Sequence, residues 1–390
     1  MMDNDTHGDK HWVGTWAATP AESLVSPVFD NNYTLRMTPR ISIGGDTIRV
    51  RISNANGNDK LAIGAASVGI RDKGASVVPD SLRPLTFNGS AATVIATGAL
   101  AISDPVTLDV APLADLAVSI HLSADVPVGF QVTGRYARQT NYISPQGDFT
   151  DAIDMRVYKI TDEWCFVSGI DVLASKTTGG VVALGDSLTD GNISRHDAFN
   201  RWPDQLARRL DTRHGGGLLG VMNQGLGGNR ILHDLRGDSG LRRFDRDVLA
   251  QPGVTHAIVM LGTNDLRNRN GLPGEEVTGE QLIAGMHQMA LRAQASGIKF
   301  IAATLTPFGN ETFMAGAWNP TRERHRVAFN EWVRHSDLLD GVVDFDAALR
   351  DPEIPTQMLP IYDCGDGLHP SDTGYCKMGD VVDLALLEAS

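Results

Sequence analysis

Four short segments carry residue types that could act together in nucleophilic chemistry. Gly185, Asp186, Ser187 and Leu188 place a hydroxyl directly behind the apolar run Val181 to Leu184. Asn223 to Arg230 (NQGLGGNR) brings glycines that let the backbone turn tightly and offer an N–H to an oxyanion. Gly262, Thr263, Asn264 and Asp265 supply a carboxamide donor, and Asp366 precedes His369 by three residues in DGLHP. A serine hydroxyl is a weak nucleophile until a base takes its proton as the bond to carbon forms. Imidazole, titrating at about 6.5 in short peptides, can accept that proton near neutrality and return it to a leaving alkoxide. A carboxylate beside it fixes the tautomer and stabilises the imidazolium. Ser187, His369 and Asp366 are therefore the candidate catalytic set. The backbone N–H groups of Ser187 and Gly228 and the amide of Asn264 are the candidate oxyanion donors, each typically worth about 3 kcal/mol.

Taken alone, Ser187 reads as the cap of the following helix; the four segments together do not. Asp186 reads as structural, orienting its turn through local hydrogen bonds. Asp363 is the rival carboxylate near His369. Asn229 is placed at the pocket wall, and Arg230 either faces an acidic substrate group or solvent. His256, His287 and His325 are assigned packing or surface roles.

An edge-of-sheet site needs strands that end where these segments begin. Five runs read as buried parallel strands: Val181 to Leu184, Leu219 to Asn223, His256 to Leu261, Lys299 to Leu305 and Val342 to Phe345. Helices alternate with them. Thr278 with Gln281 three residues on forms a capping box for a helix that stops before Gly297. A second helix spans about Arg322 to Arg334, and a last one runs from Pro370 to the C-terminus. Such alternation gives an open parallel sheet that binds ligands at the carboxyl ends of its strands. The first part is different: alternating segments such as Thr47 to Ser53 and Leu116 to Leu122 lie between turn clusters, predicting a sandwich or jelly-roll-like sheet pair. The expected domains are a β-rich one over 1–174 and a catalytic one over 175–390.

The four segments resemble the blocks of the SGNH hydrolase superfamily, the GDSL esterases and lipases. Ser187 corresponds to the family's serine, Gly228 to its glycine, Asn264 to the asparagine of GTND, and Asp366 with His369 to its DxxH. The likeness spans about Gly180 to Ser390, while Trp12 to Pro20 (WVGTWAATP) is similar to the start of two-domain members with a β-rich N-terminal module. The resemblance implies a flavodoxin-like three-layer α/β/α domain, no metal, and hydrolysis of carboxylic esters. The chain has no GxSxG segment, which separates it from the α/β-hydrolase elbow.

Short acyl or carbohydrate-linked (acetyl) esters are the expected substrates. Lipase, thioesterase or acyltransferase activity uses the same groups, and a non-catalytic carbohydrate-binding or structural protein on this scaffold is the contrasting reading. The loop Thr306 to Pro320 holds Phe308, Phe313, Met314 and Trp318 and is expected to border the site, with Phe308 and Trp318 lining it, a packed satellite cluster being the alternative. The β-rich part either binds carbohydrate and shapes the cleft or only stabilises its neighbour.

Charge sets the remaining limits. Lys and Arg total 34 against 47 Asp and Glu, a net charge of −13, which disfavours nucleic acid and anionic lipid as partners. No apolar stretch reaches the roughly 20 residues of a bilayer span, and MMDNDTHGDK lacks signal-peptide character. A cytoplasmic protein is expected, an exported one with its leader removed being the alternative. Three cysteines, Cys165, Cys364 and Cys376, without CxxC or HExxH, predict no zinc site, and no cofactor is expected. Cys364 and Cys376 are either two thiols or, on export, a disulfide.

Overall fold

Alternation of buried and facing residues decides the first part of the chain, and the turn clusters divide it. The structure is a computed structural model that describes residues 8–22, 32–123, 131–133, 136–214, 218–268 and 272–388. It forms two compact units, residues 1–180 with 210–222, and residues 181–209 with 223–390.

In the first unit, β-branched and aliphatic residues at every second position build two main antiparallel sheets. One runs in the order Lys10–Ala17, Val167–Ser175, Gly45–Ser53 and Leu100–Ile102, with Val106–Val110 also paired to Gly45–Ser53. The other runs Lys159–Thr161, Asn141–Gln146, Tyr33–Met37, Leu116–Leu122, Leu61–Ile70 and Arg83–Leu85, with Thr93–Ile95 paired to Leu61–Ile70. Leu35, Ile48, Val50, Val118, Ile120 and Val172 are all fully buried in one cluster. Each contributes about 1.5–3 kcal/mol by leaving water. Trp16 and Trp164 meet edge-on in the same core, ring centres 4.8 Å apart.

The second part is built on a five-stranded sheet. Its strands in chain order are β1 (Gly179–Gly185), β2 (Leu219–Gly225), β3 (Val254–Met260), β4 (Lys299–Ala303) and β5 (Gly341–Val343). They lie in the spatial order β2-β1-β3-β4-β5, and β3, β4 and β5 pair in parallel. Every residue of β1 is buried, as expected of a parallel strand covered on both faces. The order reverses between β1 and β3, and in sheets of this kind the ligand crevice opens at that switch point, beyond the strands' carboxyl ends. Helices α1 (Ser187–Asp190), α2 (Trp202–His214), α3 (Thr263–Leu266), α4 (Gly279–Ala295), α5 (Pro320–His335) and α6 (Asp372–Val381) flank the sheet.

Local chemistry explains the boundaries. The capping box of Thr278 and Gln281 starts α4, and Gly297 follows its end at φ +70°. Helix α5 starts two residues earlier than the sequence reading because Asn319 caps it and Pro320 opens it. Strand β4 stops at Ala303 because the Leu305 amide donates to Asn330 Oδ1 (2.8 Å) instead of to a strand. Strand β5 is also shorter than expected, since Asp344 leaves it to cap the next helical turn. The last helix does not run to the C-terminus: α6 ends at Val381, and Asp383 caps a separate 3-10 turn, Leu384–Leu387.

Candidate active site

Strand β1 delivers its chain into α1 through Asp186, whose side chain accepts from the Leu188 amide and so caps the helix. Ser187 is thus the first helical residue, not the cap. Its Oγ lies 3.0 Å from His369 Nε2, and His369 Nδ1 lies 2.6 Å from Asp366 Oδ2. The other Asp366 oxygen accepts the Leu368 and His369 amides at 2.9 and 2.8 Å, so one loop carries both base and acid in fixed register. Burial alone would raise the Asp366 carboxyl. The His369 ring, the two amides and the imidazole charge outweigh burial and hold it well below the usual carboxylate range. Asp363 is not the orienting acid: its Oδ1 accepts the Gly365 and Gly367 amides and shapes the loop instead.

The end of β2 presses against the nucleophile turn. A Cβ on Gly225 would sit 2.1 Å from the Asp190 backbone nitrogen, so no larger residue fits there. Asn223 Nδ2 donates to Thr189 O (2.8 Å), binding α1 to the end of β2. Gly228 sits at φ +81°, a conformation that residues with a Cβ rarely adopt.

Asn264, at the carboxyl end of β3, is held from both sides. Its Oδ1 accepts from Arg267 Nη1 (2.8 Å), and its amide hydrogens reach Asp186 Oδ2 (3.0 Å) and Asn229 O (3.1 Å). An oxyanion would have to share this amide with those acceptors. Burial pushes Asp186 up to about 6, against the Leu188 amide, the His369 and Arg267 charges and the Asn264 hydrogen bond. Arg267 in turn forks onto Glu311, whose side chain is fully buried, with Nε at 2.6 Å from Oε2. Arg243, also buried, donates to Gly185 O (2.8 Å), Gln224 O (2.9 Å) and Asn229 Oδ1 (2.9 Å), balanced by Asp247 at 3.0 Å. It ties the end of β1 to the loop carrying Gly228.

The substrate-wall assignments change. Asn229 is 1% exposed and spends its Nδ2 on Arg236 O and Asp238 O, so it holds the loop and does not face a pocket. Phe308 is fully buried and belongs to the core. Trp318 is half-buried, its indole N–H donating to Glu323. Of the four apolar residues in that loop, Phe313 stands edge-on to His369, ring centres 6.1 Å apart at 84°, with 56% of its surface exposed. Arg230 neither meets solvent nor waits for an acid: it is 2% exposed and pairs with Glu275 at 2.7 Å. Two further residues near the imidazole were not evident in the sequence. Asn192 Nδ2 lies 3.5 Å from His369 Nε2, and the buried Tyr375 hydroxyl donates to Asn192 O at 2.8 Å. Tyr375 falls six residues after His369, one turn into α6, which is the only signal it carries.

Asp363, Cys364 and Asp366 are near enough to share a cation, but Asp366 is committed to His369 and Asp363 to backbone amides. Cys165, Cys364 and Cys376 are all free thiols, so no disulfide joins the last two. Among the described residues, no helix is long and apolar enough to cross a membrane.

Residues 183–376 match the family model of the GDSL-like Lipase/Acylhydrolase family. No curated protein matches the chain. Among solved structures, a G-D-S-L family protein from Desulfitobacterium hafniense is 25% identical, covering 52% of this chain and 97% of its own, with a TM-score of 0.39. An acetyl xylan esterase from Geobacillus stearothermophilus is 21% identical over 54% of this chain and 96% of its own, at 0.41. A carbohydrate acetylesterase from Sinorhizobium meliloti is 17% identical over 54% and 100%, at 0.42.

Proposed function

We propose that the chain is a serine esterase working through an acyl-enzyme on Ser187, in keeping with the match of residues 183–376 to the GDSL-like Lipase/Acylhydrolase family. The observation that carries this reading is the unbroken relay from Ser187 Oγ through His369 to Asp366, at 3.0 and 2.6 Å. Ser187 attacks the ester carbon while His369 Nε2 takes its proton, and Asp366 holds the resulting imidazolium. The bond from the acyl carbon to the alcohol oxygen breaks as His369 returns the proton to that oxygen. Water then enters by the same route and frees the acid and the serine. The Ser187 N–H lies at the first position of α1, where no intrahelical acceptor exists, and so is available to the oxyanion. Gly228 N–H and the shared Asn264 amide complete the set.

The serine is 6% exposed and its base is flanked by Asn192 and Phe313, which favours a slender acyl group such as acetyl over a long chain. Hydrolysis of 4-nitrophenyl acetate by the full chain tests the reading. Ser187→Ala should abolish it while leaving the fold intact; a folded variant with undiminished turnover would refute it and favour a binding protein on this scaffold.

A further inference from the structure

We propose that Asn192 is a further catalytic residue, whose carboxamide donates a hydrogen bond to the departing alcohol oxygen in acylation and to the attacking water in deacylation. This rests on the esterase reading above. A local device brings the residue to the imidazole. Helix α1 is four residues long and closes on Gly191 at φ +89°, a left-handed turn that suits glycine. The Gly191 and Asn192 amides both return to Ser187 O, at 3.0 and 2.9 Å. The buried Tyr375 hydroxyl then grips Asn192 O at 2.8 Å. Backbone bonds thus fix Asn192 beside the nucleophile and spend none of its side chain.

Among the described residues, the half-buried carboxamide has one hydrogen-bonding neighbour, His369 Nε2, at 3.5 Å from Nδ2. The neutral ring offers a single lone pair there, and Ser187 Oγ at 3.0 Å takes it. Turning Oδ1 toward Nε2 would set lone pair against lone pair, so the NH2 faces the ring. A donor is therefore aimed at the point of proton transfer without a good acceptor of its own. An oxygen about 3 Å from each nitrogen fits between them. The reaction puts one there, because the alcohol oxygen must lie within reach of Nε2 to receive its proton. As the bond from the acyl carbon breaks, its electron pair moves onto that oxygen. One lone pair takes the Nε2 proton, and another accepts from Asn192. Water reverses the path: its proton goes to Nε2, one lone pair bonds the acyl carbon, and Asn192 holds the other. The oxyanion donors serve a different oxygen, and the Asn264 amide is already shared with Asp186 and Asn229. Phe313, the ring's other neighbour, brings no donor.

A leaving-group series tests this, since a donor to the departing oxygen matters in proportion to the charge that builds on it. The acetates of ethanol, trifluoroethanol, phenol and 4-nitrophenol are compared through kcat/KM, which reads the steps up to loss of the alcohol. Asn192→Ala should lose about tenfold to a hundredfold on ethyl acetate, the worth of one hydrogen bond to a charged group. The loss should shrink along the series as the alcohol becomes more acidic, to within about threefold on 4-nitrophenyl acetate. A merely structural role would lower all four alike, so a uniform loss, or none, in the folded variant overturns the proposal. Asn192→Asp keeps the shape without the donor and should do no better than alanine on ethyl acetate. Wild-type activity in that variant would make the side chain an acceptor for the imidazolium and would sink the assignment. Ser187→Ala keeps the two readings apart. Turnover that survives in folded Ser187→Ala refutes the esterase itself, whereas turnover lost there with a flat series in Asn192→Ala removes only the role of Asn192.

Discussion

Asp366→Asn should nearly silence the enzyme through a proton in the wrong place. In the wild type, Oδ1 accepts two backbone amides, from Leu368 and His369, and Oδ2 accepts the imidazole Nδ1–H. An asparagine has one oxygen, and the two amides claim it, because an NH2 turned toward them would set donor against donor. Its NH2 must then face Nδ1, which becomes an acceptor. The ring proton moves to Nε2, the nitrogen 3.0 Å from Ser187 Oγ, where it blocks removal of the serine proton. The same tautomer error in a Ser-His-Asp enzyme costs about 10⁴ in kcat, which is about 5 kcal/mol at 1.36 kcal/mol per tenfold. Turnover of 4-nitrophenyl acetate at pH 8, with circular dichroism as a check on folding, reads the effect. Stability should fall somewhat at pH 8, because the contribution of the ionised carboxylate is lost although the amide hydrogen bonds survive. A folded variant losing less than about tenfold would mean that Asp366 does not set the tautomer, and the relay would no longer explain the chemistry.

Two further outcomes follow from the groups around the relay. Arg267→Lys removes the fork onto Glu311 and the hold on Asn264 Oδ1. It should lower both kcat and the melting temperature, since a buried carboxylate left poorly paired costs roughly 3–5 kcal/mol; Glu311→Gln in the same background should restore part of the stability, and failure to do so would argue against the pair. Burial pushes Asp265 up to about 7, against the Ile231 and Leu232 amides and the Arg230 charge. A carboxyl raised from about 3.9 in the unfolded chain contributes stability that is complete below pH 4 and lost as pH rises through 7. Asp366, held low, acts in the opposite sense: its contribution is present above about pH 4 and lost as pH falls further. Urea midpoints measured from pH 4 to 8 should therefore fall less steeply in Asp265→Asn than in the wild type, and parallel curves would contradict the shift.

What was legible in the sequence is what local rules decide. The capping box of Thr278 and Gln281 needs residues three apart, and α4 begins where it says. Leu116 to Leu122 alternates strictly, and it is a strand over those bounds. That Ser187, His369 and Asp366 would meet was legible because Asp366 and His369 share a loop and Ser187 follows a strand, so their proximity follows from sheet topology. By contrast, α2 was not singled out. Its sequence, WPDQLARRLDTRH, is polar for most of its length and its apolar stripe is narrow. Phe308 and Phe313 could not be told apart by type: only the packing of a tertiary structure sends one into the core and leaves the other beside His369.

The residues that escaped notice share a cause, and it bears on how the site works. Arg243 binds the carbonyls of Gly185 and Gln224, and every residue has a carbonyl, so nothing in the partners' identity marks the contact. Tyr375 holds Asn192 through a carbonyl in the same way. These bonds nonetheless fix the two strand ends on which Ser187 and Gly228 depend. An oxyanion site lowers a barrier only if its donors are already aimed before charge develops, because reorientation during the reaction would consume the gain. A buried guanidinium spanning two strand ends provides that aim. Its charge is met by Asp247, so it holds the backbone without placing an unpaired positive charge beside the serine. The reacting groups are therefore read from side chains at motif positions, whereas their alignment is set by side chains gripping the main chain.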